Sequence, residues 1–407
     1  MKKVIFVTPV APWKLFGGTA TVSRNLLELF SELPDSQVCC LRGDEAGAYP
    51  REIHGATVLS GRVSGLVRKL RFFLDFGAAS FAHRQFDRTA VRERFAALLA
   101  RHQPEFVVFD HIFSAWLIDV VENPATRIAY VAHDDMVTYA DSLLRLNPAP
   151  AKRLRFGKLR HQYQRLQQHI LDRSDFVLTM TAEDAARLRK SARGSVEVAP
   201  LFFDPQDFAR DDGAAFQYLL VTGSFDTWEK QAGLTQFLDF VFTPLLRRRP
   251  DLRLVIAGRI LPGVRSQIRF PEPPVRIVHA PSESEMSTLV RQASAAVVLD
   301  LQDSGLKIKT IDLAAAGLPL VSWAPGIEGS LLVPEESCLV AASSEEFIHH
   351  LDRLYLDPHL RRELGTAARR IVQQNFSKAA ARARFKASRL FSALNGIDPA
   401  HLTAEGV

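Results

Sequence analysis

Cysteine is scarce in this chain, and the patterns that mark a metal or redox centre are missing. The 407 residues include three cysteines, of which Cys39 and Cys40 are adjacent and Cys338 stands alone. No Cys-x-x-Cys pair and no cysteine–histidine spacing of a zinc site occurs. The sequence therefore disfavours a disulfide scaffold and a structural zinc domain, and it predicts a protein of a reducing compartment, the cytoplasm.

Long apolar runs and nucleotide-loop motifs are also missing. No stretch approaches the ~18 consecutive apolar residues of a membrane span. The apolar start of the chain is interrupted at Thr8-Pro9, too early for the core of a secretory leader. Neither a Gly-x-Gly-x-x-Gly fingerprint nor a Walker loop is present. These absences argue against a membrane-spanning protein, an NAD-dependent dehydrogenase and a P-loop NTPase.

Positive charge is concentrated in the first half of the chain. Residues 1–200 hold 28 lysines and arginines against 21 acidic residues, whereas residues 201–407 hold 23 against 24. Two segments, 62–88 and 151–169, mix basic residues with leucine and phenylalanine. They are either solvated helix faces or a surface for an anionic membrane. No nucleic-acid-binding motif accompanies them, so nucleic acid is not expected as a partner.

Short apolar runs alternate with longer segments of helical period throughout the chain. The runs lack polar alternation, which is typical of strands buried on both faces of a parallel sheet. A polar, turn-rich segment, 202–216, separates two sets of runs. The predicted strands are 4–10, 106–110, 127–133, 176–180 and 196–201, then 218–223, 252–258, 275–280, 295–301 and 319–323. The pattern predicts an α/β protein with two doubly wound, Rossmann-like domains.

Ligands of open α/β sheets bind beyond the carboxyl ends of the strands, so the residues after each strand are the candidates. In the first half these are the pair Gly17-Gly18, before a predicted helix, and the tetrad Ala-His-Asp-Asp at 132–135. The glycine pair is either a plain turn or an approach for an anion at a helix start. Either His133 and Asp134 take part in the reaction, or the aspartates of this tetrad only cap the next helix.

The second half places lysines at the starts of two βα units. Gly223 and Ser224 end a predicted strand ahead of Lys230, and a later loop carries Lys307 and Lys309. Lysines two positions apart do not share one helix face, so one is expected to reach a phosphate from the loop and the other to be structural. Their convergence predicts a phosphate-containing ligand. Asp312, close to the same helix start, suits sugar hydroxyls such as a ribose diol.

In their order, these motifs resemble those of GT-B glycosyltransferases, most closely the retaining family 4. The resemblance runs over about residues 1–390 and rests on PWKLFGG, AHDD, TGSFDTWEKQAGL and, most specifically, SGLKIKTIDLAAAGLPLVSW. It implies a GT-B fold, two Rossmann-like domains facing each other across a cleft. The implied parts are an acceptor domain over 1–205, a nucleotide-sugar domain over 206–377, and a C-terminal helix and tail over 378–407 that returns toward the first domain.

The resemblance also implies the reaction. A sugar would pass from a UDP- or GDP-sugar to a hydroxyl of a saccharide or lipid-linked acceptor with retention, without a metal or other cofactor. The setting would be cell-envelope polysaccharide or glycolipid synthesis, on the inner face of the plasma membrane. The implied catalytic residues are His133 and Asp134, and the implied nucleotide-sugar residues are Gly17, Gly18, Gly223, Ser224, Lys230, Ser304, Gly305, Leu306, Lys307, Lys309 and Asp312.

Two departures from the family pattern bear on the donor. The usual two glutamates separated by seven residues fall here on Ser304 and Asp312, and the usual arginine is missing from GSFDTWEK. A nucleotide-sugar epimerase and a catalytically silent GT-B scaffold are therefore alternatives. We expect these replacements to alter the donor rather than to end the chemistry.

Overall fold

The computed structural model describes residues 3–9, 18–31, 36–40, 56–58, 88–203, 215–260 and 275–396. The chain divides into two compact units, Met1–Leu201 with Ala379–Val407, and Phe202–Lys378. Each unit is a parallel sheet with flanking helices, so the predicted α/β class is confirmed. The predicted domain limit at 205/206, nearly all of the basic segment 62–88 and the end of the tail lie outside the described residues.

The first unit is built on a seven-stranded sheet. Its strands are β1 (Val4–Thr8), β2 (Ser36–Cys40), β3 (Ala56–Val58), β4 (Phe106–Asp110), β5 (Arg127–Ala132), β6 (Phe176–Thr179) and β7 (Ser195–Val198). They lie in the order β3-β2-β1-β4-β5-β6-β7, and every pairing is parallel. The helices are α1 (Gly18–Ser31), α2 (Arg88–His102), α3 (Ile112–Ala115), α4 (Met136–Arg145), α5 (Pro150–Arg173) and α6 (Ala182–Leu188). Strands β1 and β4 are buried along their whole length, as expected of central parallel strands.

The second unit repeats this plan with six strands. They are β8 (Leu219–Ser224), β9 (Leu254–Arg259), β10 (Val275–His279), β11 (Ala295–Val298), β12 (Leu320–Trp323) and β13 (Leu339–Ala341), in the order β10-β9-β8-β11-β12-β13. The helices are α7 (Trp228–Phe237), α8 (Thr243–Arg248), α9 (Glu283–Gln292), α10 (Ile308–Ala315), α11 (Ser344–Leu356) and α12 (Pro358–Asn375). Its core is apolar and includes the side chains of Phe237, Phe242 and Phe347.

Both sheets reverse their strand order once, between β1 and β4 in the first unit and between β8 and β11 in the second. A doubly wound sheet opens a crevice beyond the strand ends at this point. Next to this point in the second unit, β8 and its other neighbour β9 approach closely. A Cβ atom on Gly258 of β9 would lie 1.8 Å from the carbonyl oxygen of Gly223 on β8, so only glycine fits. The fold thus directs attention to the ends of β8 and β11.

The C-terminal segment, predicted as one helix and a tail over 378–407, begins with two helices. It forms α13 (Lys378–Ala387) and α14 (Arg389–Leu394), because Ser388 adopts an extended backbone and its hydroxyl accepts from the Phe391 amide at 3.1 Å. Phe385 of α13 packs against Phe30 of α1 with ring centroids 5.4 Å apart. This aromatic contact ties the end of the chain to the first unit. In the part of the chain that the structure describes, no helix has the length and apolarity needed to cross a membrane.

Candidate active site

A small pocket lies at the strand-order reversal of the second unit. Residues from the ends of β8 and β11 line it together with the first turns of α7 and α10. The lining residues include Gly223, Ser224, Glu229, Lys230, Asp300, Gln302 and Lys309. The structure therefore brings together four of the predicted site residues, and it adds two acidic residues, Glu229 and Asp300, that the sequence interpretation did not single out.

Asp300 and Lys309 form an ion pair in this pocket. The Lys309 Nζ atom lies 2.7 Å from Asp300 Oδ2, and the carboxylate side chain is only 10% exposed while the lysine is more open. Burial by itself opposes ionisation, but the nearby Lys309, Lys307 and Lys230 outweigh it and lower the pKa of Asp300. Three lysines thus act on this carboxylate, and Glu229 adds a second carboxyl group to the pocket lining.

Lys307 has a different role from Lys309. It is buried, and its ammonium donates to the carbonyl oxygens of Ser304 and, at 3.0 Å, of Gly305 in its own loop. Gly305 sits at φ 71°, a left-handed conformation that favours glycine and turns the loop back toward α10. Lys307 therefore holds the loop, and Lys309 is the lysine that reaches the pocket. Leu306 is half-buried and Ser304 fully buried in the same loop.

The two helices that begin at the pocket lack a capping side chain. The N-cap residues of α7 and α10, Thr227 and Lys307, make no side-chain cap hydrogen bond. The remaining long helices of this unit are capped, α9 by Ser282, α11 by Ser343 and α12 by Asp357. The positive end of the helix dipole at such a start favours an anion, although in α10 the amides of Ile308 and Thr310 already donate to the carbonyl oxygens of Leu306 and Lys307. Lysine side chains and helix N-termini are both positive, so the two features of the pocket favour the same kind of ligand, an anion.

Asp312 lies on α10 but is not among the residues that line the pocket. Its side chain reaches solvent, and yet the surrounding protein desolvates the carboxyl enough to raise its pKa to about 6. Asp312 is therefore an accessible carboxylate that gains a proton in mildly acidic solution.

In the first unit, the ends of β4 and β5 carry a buried polar cluster. His133 Nε2 lies 2.6 Å from Asp110 Oδ1, and the hydroxyl of Ser23 on α1 donates to Asp110 Oδ2 at 2.5 Å. Burial opposes ionisation of Asp110, but His133, Ser23 and His111 together lower its pKa. Because an ionised carboxylate only accepts hydrogen bonds, Nε2 of His133 carries the proton, and Asp110 fixes both the tautomer and the orientation of that ring.

His111 completes this cluster from the neighbouring turn. Its ring meets the ring of His133 edge-on at 4.9 Å, and its Nδ1 accepts from the Phe113 amide at 3.2 Å, which caps α3. Burial, followed by the electrostatic effect of the neighbouring His133 ring, lowers the pKa of His111 to about 3. His111 is therefore neutral at physiological pH, as its acceptor role at Nδ1 requires.

The aspartates after His133 have separate environments. Asp135 is the N-cap of α4, and its side chain also accepts from the Gln167 amide at 2.9 Å and lies 3.6 Å from the guanidinium of Arg187. Asp134 is half-buried and does not cap that helix. The capping interpretation thus holds for Asp135. Gly18 is the first residue of α1, whereas Gly17 lies outside the described residues.

Sequence inspection overlooked Asp110, Ser23, His111 and Asp300. Asp110 ends β4, and Asp300 follows β11 by two residues. The rule that selects polar residues at the ends of buried strands would have found both aspartates. Ser23 gives no such signal, because it lies within a helix and its partner is 87 residues away in sequence.

Comparison with known proteins adds family information, mainly for the second unit. Residues 236–386 match the family Glyco_trans_1_2, described as glycosyl transferase-like. An uncharacterized 44.6 kDa protein in the cps region of Klebsiella pneumoniae is 22% identical over 149 residues. That match spans 35% of this chain and 38% of the relative, well under two thirds of its length.

Several solved structures share the fold over nearly the whole chain. The sucrose-phosphate synthase from Thermosynechococcus elongatus has a TM-score of 0.75 at 15% identity, covering 97% of this chain and 100% of that chain. The Anabaena protein Alr3699/HepE, in complex with UDP and glucose, has a TM-score of 0.67 at 13% identity, with coverages of 98% and 100%. The lipopolysaccharide outer core galactosyltransferase WaaB, in its apo form, has a TM-score of 0.61 at 14% identity, with coverages of 96% and 99%.

At these identities the structural likeness establishes the fold. It confirms the predicted GT-B class, and the match of residues 236–386 supports the predicted glycosyltransferase. Membership in family 4 stays a prediction.

Proposed function

We propose that this protein transfers a sugar from a UDP- or GDP-sugar to a hydroxyl acceptor, with retention of configuration. The observation that carries the proposal is the convergence of Lys230, Lys307 and Lys309 with two uncapped helix starts at the strand-order reversal of the second unit. A nucleoside diphosphate group has the charge and size for such a site.

In this proposal the second unit stabilises the leaving diphosphate. Lys309 and Lys230 neutralise charge that develops as the bond from the sugar C1 to the phosphate oxygen breaks, and Lys307 keeps the loop in place. The acceptor hydroxyl forms the new bond to C1 on the same face, and its proton passes to the departing phosphate oxygen. Catalysis is then mostly positioning and electrostatic stabilisation.

The first unit supplies an oriented imidazole. Asp110 accepts a hydrogen bond from His133 and is itself held by the hydroxyl of Ser23, so the ring has one tautomer and one orientation. We assign His133 to contact the transferred sugar, with Asp134 beside it at the end of β5. A ring held by buried partners loses little freedom when a sugar binds, which favours precise placement.

The acidic position on α10 distinguishes this chain from the usual family pattern. Asp312 is one methylene shorter than glutamate, and in the proposal it accepts from the ribose hydroxyls of the nucleotide. Ser304, at the other position, is buried and its carbonyl accepts from Lys307, so it serves the loop. We therefore expect Ser304 and Asp312, in place of the usual glutamates, to change which donor sugar is used and not to abolish the reaction.

Ligand-dependent thermal unfolding tests the proposal. UDP, GDP and ADP are compared with uridine, which lacks the diphosphate; a diphosphate at one hundred times its Kd should stabilise the protein by about 2.7 kcal/mol. Stabilisation by none of the three would favour the silent scaffold. For the nucleotide that binds, NMR of the product reports the anomeric configuration. Conversion of the nucleotide sugar without any acceptor would favour the epimerase.

We also propose that the protein contacts anionic membrane, where a lipid-linked acceptor resides. Of the two basic segments, the structure describes 151–169, which lies on α5. Leu154 is 79% exposed at its start, and Lys152, Arg153 and Arg155 are exposed around it. An apolar side chain amid cations suits an anionic bilayer surface. Sedimentation with anionic but not neutral vesicles at low salt is expected; equal sedimentation with both, or with neither, would contradict this.

A further inference from the structure

Asp300 is an unexpected group in a site for anions. It places a negative charge among three lysines, and its carboxylate forms an ion pair with Lys309, the lysine that reaches the pocket. Because this ion pair lies in the pocket, Asp300 is placed to act on any ligand that Lys309 binds.

The distance between the two partners limits where a phosphate can bind. An ammonium has three donors and no acceptor, so Lys309 can contact Asp300 and a phosphate oxygen at the same time. Since such charged contacts are about 2.7–2.9 Å long, a phosphate oxygen on Lys309 lies within about 5.5 Å of Asp300 Oδ2. At that range two negative charges repel even in the presence of salt, because the Debye length is about 8 Å.

We infer that Asp300 opposes the nucleoside diphosphate product more than the nucleotide-sugar donor, and so keeps the product from binding too tightly. The inference rests on the proposed function. In the donor, the distal phosphate is a diester with one negative charge. After transfer its bond to the sugar is gone, and the terminal phosphate carries about −1.5 to −2 at pH 7. Because of this additional charge, Asp300 repels the product more strongly than the donor. The residue therefore determines how well the site distinguishes the two.

Binding measurements on Asp300→Asn test this directly. The asparagine keeps the shape and removes the charge, so the Kd for UDP should fall about tenfold and the Kd for UDP-glucose only about threefold. GDP and GDP-mannose form the second probe pair. Asp239→Asn is the matched control, because it removes the same charge from an exposed position of the same unit and should leave both constants unchanged. Equal or absent changes in Asp300→Asn would overturn the inference.

A mutant cycle with Lys309→Met separates repulsion from positioning. If Asp300 repels the diphosphate, then Asp300→Asn introduced into Lys309→Met should recover part of the lost UDP affinity. If Asp300 only orients Lys309, then Asp300→Asn should weaken UDP binding in the native background and have no effect in Lys309→Met, which would overturn the inference. The double variant also provides the test if Asp300→Asn alone does not fold, since it removes both members of the pair.

The same measurements distinguish failure of the inference from failure of the proposed function. A native protein that binds neither UDP nor GDP would overturn both. A native protein that binds a diphosphate while Asp300→Asn binds it with the same affinity would overturn only the role of Asp300.

Discussion

In the first unit the polar groups at the ends of β4 and β5 are buried and bonded to one another, whereas in the second unit Lys230 and Lys309, near the ends of β8 and β11, remain partly open to solvent. Asp110, His133 and Ser23 form a closed set. Lys309 and Lys230 line a pocket and retain donors for a ligand. Both groups lie near the point where the strand order of their sheet reverses.

The difference shows how one topology supports two kinds of site. Burial fixes a side chain in one orientation, but it makes the stability of the protein depend on the protonation of the buried groups. Partial exposure leaves charges available, and it makes their contribution to stability small because solvent screens them. We therefore expect changes in the lysine-rich pocket to alter turnover, and changes in the buried cluster to alter stability against pH.

The largest effect is expected from Lys309→Ala. Loss of the ammonium removes stabilisation of the leaving diphosphate, so kcat/KM should fall by a factor that corresponds to about 2–4 kcal/mol. Steady-state kinetics with the nucleotide sugar identified by thermal unfolding measures it. Arg248→Ala, an exposed cation of the same unit, serves as control and should keep native activity. Near-native kcat/KM in Lys309→Ala would remove the lysine from the mechanism.

An effect of intermediate size is expected from His111→Asn, on how the free energy of unfolding depends on pH. His111 has a folded-state pKa of about 3, below the ordinary 6.5, so the unfolded chain takes up a proton first as pH falls. The native protein should therefore lose about 2 kcal/mol of stability through this group between pH 7 and pH 5. Asparagine can cap α3 and does not titrate, so the variant should lose less.

Urea unfolding at several pH values measures this dependence. His161→Asn, an exposed histidine of the same unit, should retain the native pH dependence. The role assigned to His111 is wrong if His111→Asn and the native protein lose stability in parallel between pH 7 and pH 5.

The smallest effect is expected at Asp312, in the affinity for the donor. Its pKa is about 6, so the carboxylate becomes protonated between pH 7 and pH 5 and then accepts more weakly from ribose hydroxyls. The Kd for UDP-glucose, which has no phosphate group titrating in this range, should rise up to about tenfold over that interval. Asp312→Asn should bind more weakly at pH 7 and show no such rise. Calorimetric titrations that find the same pH dependence in both proteins would exclude Asp312 as the cause.

Most of the fold was predictable because buried parallel strands have a strong local signal. All ten predicted strands occur, with ends shifted by at most three residues. Among the residues that the structure describes, three further strands were missed, and their patterns are weaker: β2 is partly polar, and β3 and β13 have three residues each. Such short segments become strands through pairing with a neighbour, Cys39 opposite Val7 for example, and not through their own composition.

The sequence by itself determined the α/β alternation, the order of the motifs and the residue types at the ends of the strands, because these follow from local hydrophobic periodicity and chain order. Tertiary structure alone decided which charges meet. It paired Lys309 with Asp300, turned Lys307 back onto its own loop, and placed Ser23 and His133 on the two oxygens of Asp110. The contacts of Asp110 join elements 23 and 87 residues apart in the chain. Those of the two lysines are closer in sequence, but they depend on the path of the loop between β11 and α10 and on burial, which local periodicity does not determine.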